Sequence, residues 1–336
     1  MISVIIPVKK LTDFLINENL PAMDRQKFRH FEVIVLPNER STDNKKLLAE
    51  YCWLKIIPTG KITRPAEKRD IGAKKAKGDI LAFIDDDAYP TPNWLTNAVK
   101  IFDKDNPAAV CGPGILPPNA TFWEKVFDEV LKTFIGSGEY SYRFVQKTKR
   151  LVDDYPSMNF LVRKSLFTEL GGFNNDYWPG EDSKLCRDLV YKKKQTIIYD
   201  PSVTVYHHRR DQLISFLKQH ANYGFHRGAF FAHGDENSRR FSYLVPTFFV
   251  LYLFISIFYL LFPTSIFNLP PSIFYSPLII YFLFIFYLFL HAFIDTRNFI
   301  ISLTTPFVLF LTHVVYGIMF VKGAFTGLIK KDKIYG

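Results

Sequence analysis

Apolar positions follow two different patterns along this chain. Up to about residue 240 they come in short runs bounded by polar and charged stretches; beyond it they fill runs of 19, 17 and 23 residues at 244–262, 278–294 and 299–321. The short runs, many rich in Ile and Val, read as buried strands at 2–8, 31–36, 53–57, 80–84, 108–111 and 196–199. Leu11, Phe14, Leu15 and Leu20 behind Thr12 and Asp13 predict a short helix after the first strand, and Ser41, Thr42 and Asp43 open a second helix carrying Leu47, Leu48 and Tyr51. The order β-α-β-α-β is one half of a doubly wound sheet, so the front of the chain is expected to be an α/β domain. Pro65 opens a further helix that Gly78 ends, and another runs from Trp94 to Phe102. Residues 119–155 read as a helix plus a polar connection, expected to be a mobile loop over a site.

The three long runs match the length needed to cross a bilayer core of about 30 Å, and predict three transmembrane helices. A buried helical core is the alternative, and the length and aromatic content of the runs argue against it. The expected division is therefore 1–236 and 241–336, with an interfacial segment at about 212–240 that carries His226, Arg227, His233, Arg239 and Arg240. Arg239 and Arg240 before the first run favour a cytosolic start, and the uncharged stretch 263–277 suits the outer side. Three crossings would leave Lys330, Lys331 and Lys333 outside, against the positive-inside tendency, so one segment is also readable as re-entrant or interfacial. The first strand begins too early and is too short for a signal peptide, so the expectation is an integral membrane protein with its front domain on the cytoplasmic side.

Composition sharpens that division. Residues 241–336 hold 18 of the 34 phenylalanines and only seven charged residues, leaving about +7 of the net +10 in residues 1–240. A basic balance beside membrane segments points to membrane lipids and phosphorylated substrates, and no motif for nucleic acid is present. Cys52, Cys111 and Cys186 are odd in number and widely spaced, which fits reduced thiols. Residues 1–59 contain no glycine, which argues against dinucleotide and P-loop folds, where backbone must approach phosphate closely. Phosphate charge then has to be met by a metal and by side chains such as Arg69.

The metal candidates end the fourth strand: Asp85, Asp86 and Asp87 follow the apolar run 80–84. Ligands of open α/β sheets bind beyond the carboxyl ends of strands, and hard oxygen ligands suit Mg²⁺ or Mn²⁺ bridging a diphosphate. A solvated acidic loop is the alternative. Gly112, Pro113 and Gly114 would let a sugar or phosphate come close, or form an ordinary tight turn. Glu181 and Asp182 follow Pro179 and Gly180 and precede Leu185, Leu189 and Val190, so they fall in the first turn of a helix, either as a general base or as carboxylates satisfying backbone donors. His207, His208, Arg209 and Arg210 offer an imidazole ligand and cations for a diphosphate, or a juxtamembrane basic patch.

Together these residues resemble the inverting family-2 glycosyltransferases of the GT-A fold, in their membrane-anchored form. SVIIPVKK (3–10) looks like the family's first strand, AEKRDIGAKKAKGDILAFIDDD (66–87) like its AxxRNxGxxxAxG…DDD segment, and GEDSKLCRDL (180–189) like its ED base motif. Gln219 to Tyr223 resembles the QxxRW motif, with Asn222 and Tyr223 in place of Arg-Trp, and Pro37 to Ser41 stands where the family has Asp-Asp/Asn-Gly-Ser. The resemblance implies a GT-A, nucleotide-diphospho-sugar transferase-like α/β domain followed by a helical transmembrane domain. It implies donor contacts from Pro7, Val8, Glu39, Arg69, Asp85, Asp86 and Arg210, acceptor contacts from Trp178, Glu181 and Gln219, and Asp182 as catalytic base. Asp85, Asp87 and His207 are implied as ligands of Mg²⁺ or Mn²⁺. The expected activity is transfer of a sugar from a nucleotide-sugar donor to a lipid-linked, polyprenyl-type or glycan acceptor at the cytosolic membrane face. A metal-dependent phosphotransferase or phosphohydrolase acting on a membrane-associated substrate is the enzymatic alternative; a membrane scaffold or transporter is the non-enzymatic one.

Overall fold

A computed structural model of the chain describes residues 1–173, 179–261 and 272–329. These divide into two units, one built from Met1–Pro117 with Tyr142–His208, the other from Pro118–Ser141 with residues 209–329.

In the first unit the strands are β1 (Ile2–Pro7), β2 (Phe31–Leu36), β3 (Leu54–Ile56), β4 (Ile80–Ile84), β5 (Ala88–Pro90), β6 (Ala109–Cys111), β7 (Gly114–Ile115), β8 (Arg150–Val152), β9 (Asn159–Arg163), β10 (Ile197–Tyr199) and β11 (Val205–His207). Eight of them form one sheet in the order β3-β2-β1-β4-β9-β6-β10-β8. The half read from the sequence is present: β1 lies parallel to both β2 and β4, and β2 is parallel to β3. All six residues of β1 and of β2 are buried, as expected for Ile/Val-rich strands covered on both faces. Beyond β4 the sheet is mixed, because β9 enters antiparallel between β4 and β6. The sequence reading did not assign β9 as a strand. Its first residue, Asn159, is fully buried and fully used: Nδ2 donates to Gly112 O (2.6 Å) and Val203 O (2.7 Å), and Oδ1 accepts from Trp94 Nε1 (2.8 Å).

A second, three-stranded sheet has the order β5-β11-β7. Gly112 just before β7 is packed against the Val203 backbone, so close that a Cβ there would collide with it. The glycine thus serves an internal backbone contact, as in the tight-turn alternative. Gly78 does the same at β1, where a Cβ would lie 2.7 Å from both Met1 O and Ser3 N.

Helices are α1 (Leu20–Asp24), α2 (Asn44–Glu50), α3 (Pro65–Lys75), α4 (Trp94–Asp105), α5 (Phe122–Leu131), α6 (Phe134–Ser137), α7 (Lys164–Glu169), α8 (Glu181–Arg187), α9 (Leu213–His233), α10 (Phe241–Leu261), α11 (Ser272–Thr296) and α12 (Phe299–Ile329). α3 has Pro65 at its start, Glu67 in its first turn, and Lys74 and Lys75 in its last, charges that complement the helix dipole.

Within 119–155 the expected helix is present as α5, and the connection after it carries α6 and β8. Thr121 and Glu124 form a capping box, with Thr121 N donating to Glu124 Oε2 at 2.8 Å, and this starts α5 firmly. Val126, Phe127, Val130 and Leu131 make a buried face, and Phe127 stacks on Phe216 of α9 at 4.0 Å between ring centres. α5 therefore groups with the apolar helices in the second unit. Residues 150–152, at the other end of the stretch, form edge strand β8 on β10. Residues 118–141 and 209–240 thus group with the C-terminal helices, whereas a single division near 236–241 was expected.

α10, α11 and α12 are each long and apolar enough to cross a membrane. They begin at or before the expected positions, and α12, with 31 residues, is about 46 Å long. Large side chains of α10 and α11 lie exposed, Phe254 at 69% and Phe282 at 63%, whereas α12 buries Val308, Leu309 and Phe320. α9 lies against α12 through small residues, with a Cβ at Gly228 reaching 2.9 Å from Ala324 N and one at Gly327 reaching 2.9 Å from Ala229 O.

Candidate active site

The acidic triplet leaves the sheet at the carboxyl end of β4, and Ala88 N closes a turn onto Asp85 O at 3.2 Å. The chain then enters β5, which pairs antiparallel with β11 so that His207 stands opposite Ala88. That register brings His207 Nε2 to 3.3 Å from Asp87 Oδ1. One ligand atom each from Asp85, Asp87 and His207 lies within 4.8 Å of the others. Two carboxylates and an imidazole at the rim of a sheet fit a hard divalent cation such as Mg²⁺ or Mn²⁺, with room for oxygen ligands from a substrate. Gly114 of β7 leaves space for this arrangement, since a Cβ there would sit 3.0 Å from His207 Cβ.

Asp86, between the two, is half-buried, and Thr12 Oγ1 donates to its Oδ2 at 2.8 Å. Burial first, then the charges of Asp87 and Asp85, push its carboxyl up to about 6. Asp85 Oδ1 accepts from Arg69 Nη2 at 2.7 Å, and Arg69 Nη1 reaches Glu181 Oε1 at 3.4 Å. Arg69, buried on α3, therefore ties the acidic edge to the start of α8 instead of pointing freely toward a phosphate.

At α8 the two adjacent carboxylates separate, as neighbours on a helix must. Glu181, expected to meet an acceptor, is only 6% exposed and is turned inward to Arg69. Burial, with Asp182 beside it, raises its carboxyl well above the ordinary range despite Arg69. Asp182 is half-buried. Its Oδ1 accepts from Ser183 N (2.8 Å) and its Oδ2 from Ser157 N (3.3 Å). Burial and the charge of Asp154 raise its pKa, which suits a proton acceptor.

Pro7 and Val8 at the end of β1 are buried, and Glu39 is exposed in the turn after β2. Lys68 of α3, 1% exposed, joins those two segments by donating to Val8 O and to Asn38 Oδ1. Arg210 and Gln219 belong to the second unit, where Gln219 Nε2 donates to Tyr223 OH at 3.0 Å and the neighbouring Arg209 pairs with Asp128 at 2.8 Å. Trp178 lies outside the described residues. Thr12, Lys68, Asp154 and Ser157 were not read as site residues, because none carries a pattern of its own.

Residues 3–171 match the model of the family named Glycosyl transferase family 2, which spans half of the chain, and the protein belongs to that family. Its catalytic domain has the GT-A fold. A mannosyltransferase of Pyrobaculum calidifontis, solved in complex with GDP-Man and Mn²⁺, has the same fold with a TM-score of 0.60 at 16% identity, covering 98% of this chain and 88% of that one. A pre-mycofactocin glycosyltransferase of Mycobacterium tuberculosis is 25% identical over 204 residues, 58% of this chain and 41% of the relative. A glucosyl-dolichyl phosphate glucuronosyltransferase of Haloferax volcanii is 23% identical over 146 residues, 41% of this chain and 46% of the relative. The matches span less than half the length of these curated relatives. The family match ends before Glu181, Asp182 and His207, so geometry alone joins those three to the acidic edge.

Proposed function

We propose that the chain is a membrane-anchored inverting glycosyltransferase, moving a sugar from a nucleotide-diphosphate donor to a lipid-linked acceptor of the polyprenyl type, or to a glycan, at the cytosolic membrane face. One observation carries this reading: Arg69 links Asp85, beside Asp87 and His207, to the α8 turn that bears Asp182. A candidate metal edge and a candidate base are thereby held in one rigid frame.

Asp85, Asp87 and His207 would hold Mg²⁺ or Mn²⁺, which when bound neutralises charge on a leaving diphosphate. Asp182 takes the proton of the acceptor hydroxyl as its oxygen attacks the anomeric carbon from the face opposite the diphosphate; the C–O bond to the diphosphate breaks and configuration inverts in one displacement. Two backbone N–H groups fix the Asp182 carboxylate, so little reorganisation accompanies the transfer. The three apolar helices and the basic residues near 239–240 support the membrane-side assignment. The Haloferax volcanii relative, named for a dolichyl phosphate substrate, supports a lipid-linked acceptor.

The test is a transfer assay with the full chain in lipid, a panel of nucleotide sugars, Mn²⁺, and polyprenyl phosphate or glycan acceptors. Product of inverted configuration that depends on acceptor and disappears in Asp182→Asn supports the reading. Release of the nucleotide diphosphate or of phosphate at the same rate with and without acceptor overturns it in favour of hydrolysis.

A further inference from the structure

Asp182 has a second carboxylate beside it that the proposed reaction does not use. Asp154, 2% exposed, lies in the segment between β8 and β9. Its Oδ1 accepts from Ser183 Oγ at 2.6 Å, and its Oδ2 is 3.3 Å from Arg143 Nη2, which also donates to the Asp154 backbone carbonyl at 2.6 Å. Ser183 touches both acids, its hydroxyl on Asp154 and its backbone N–H on Asp182. The same short segment supplies Ser157 N to the other Asp182 oxygen, and it is pinned by Tyr155, whose hydroxyl donates to Gly112 O at 2.6 Å.

We infer that Asp154 is a positioning residue for the transfer: through Ser183 and the 154–157 segment it fixes the Asp182 carboxylate, and as a second carboxylate beside it makes Asp182 a stronger base. The inference rests on the reading of Asp182 as base. Among the described residues, Asp154 and Arg69 are the charges that act most on Asp182. Glu181 precedes it and is engaged with Arg69; Arg69 is divided between Asp85 and Glu181; the Cys186 thiol is pushed far up by burial and stays neutral; Arg143 lies on the far side of Asp154. Arg143 and the Ser183 hydroxyl each engage one oxygen of the Asp154 carboxylate. A buried carboxylate placed solely for packing would need no contact with the base's own hydrogen-bond donor. Here the serine that completes Asp154 is the one that orients Asp182.

The experiment uses the full chain in lipid and measures kcat and donor Kd from about pH 4.5 to 9 for wild type, Asp154→Asn, Ser183→Ala and Asp182→Asn. Asp154→Asn keeps size and an acceptor oxygen for Ser183 while removing the charge. The acid limb of its kcat profile is expected to move about one unit to lower pH, with a plateau about three- to tenfold lower and donor Kd unchanged. Ser183→Ala, which leaves both acids in place but removes the hydroxyl that links them, should lower kcat about three- to tenfold with the limb little moved. An unmoved limb in Asp154→Asn beside an inactive Asp182→Asn overturns the inference and leaves the base assignment standing. Should Asp154→Asn not fold, a wild-type kcat in Ser183→Ala has the same force. Wild-type turnover in Asp182→Asn removes the base, and the inference with it.

Discussion

Replacing Arg69 with methionine keeps the aliphatic stem on α3 and deletes the guanidinium that joins Asp85 to Glu181. Cutting one partner from a buried ion pair costs about 3–5 kcal/mol when the orphaned charge has to remain ionised. Two features reduce that figure. The Asp85 side chain is 32% exposed, so solvent takes over its half of the bridge, worth about 0–1 kcal/mol. Glu181 is 8% exposed at its side chain and has no such recourse, but its pKa is already raised by burial, so it can escape by taking up a proton. Each unit between pKa and ambient pH costs about 1.4 kcal/mol, and the expected loss at pH 7 is therefore about 2 kcal/mol, a fall of roughly 4–8 °C in melting temperature. The sign with pH follows from the raised folded pKa. Near the ordinary carboxylate range both proteins hold Glu181 protonated and differ by about 1 kcal/mol or less. As pH rises the variant, whose Glu181 pKa is higher still, loses stability over a longer interval. Thermal unfolding of the full chain in detergent at pH 5, 6, 7 and 8 reads this directly. A gap between the two proteins that stays constant over that range would refute the account of Glu181.

Asp87→Ala is expected to abolish the Mn²⁺-dependent rise in melting temperature with a nucleotide diphosphate while leaving the apo protein as stable or slightly more so, because one of three crowded carboxylates is gone; differential scanning fluorimetry checks both. Lys68→Met removes the tie between Val8 O and Asn38 Oδ1, and should weaken donor binding about tenfold with kcat nearly unchanged, as measured by titration calorimetry and steady-state rates. Gly323→Ala places a Cβ against the Phe225 carbonyl between α9 and α12, and should destabilise the full chain by about 1–3 kcal/mol with donor affinity kept. A wild-type melting temperature in that variant would mean the two helices can separate at no cost.

The first four strands of the main sheet were legible because each is a short apolar run and the four are separated by three helical stretches with recognisable starts. Asp85, Asp87 and His207 were legible as ligand types, and the structure brings them together. What the sequence withheld is relational. β5 is three residues long and begins immediately after the acids, so no periodicity marks it as a strand. β9 begins with Asn159, whose three hydrogen bonds make a polar residue suitable for the core only once Trp94, Gly112 and Val203 surround it. Arg69 was readable as a cation near phosphate, but its engagement by Asp85 and Glu181 depends on a partner 112 residues away. The amphipathic face of α5 gave no hint of which unit it would join, since burial against α9 and burial against a sheet require the same Val, Phe and Leu.

The pairing of β5 with β11 also defines the smallest piece of this protein that could be moved elsewhere. Side chains alternate between the two faces of a strand, so sliding β11 by one residue in the direction that sets Tyr206 opposite Ala88 would turn His207 to the other face and leave two carboxylates without their imidazole. Grafting the three aspartates alone into another sheet would transfer only an acidic turn. The transplantable unit is 84–90, 114–115 and 205–207 taken together, three segments distant in sequence whose mutual alignment is the information. A chain that folds its large sheet correctly but misaligns this small one would look native by most optical probes and carry an incomplete ligand set.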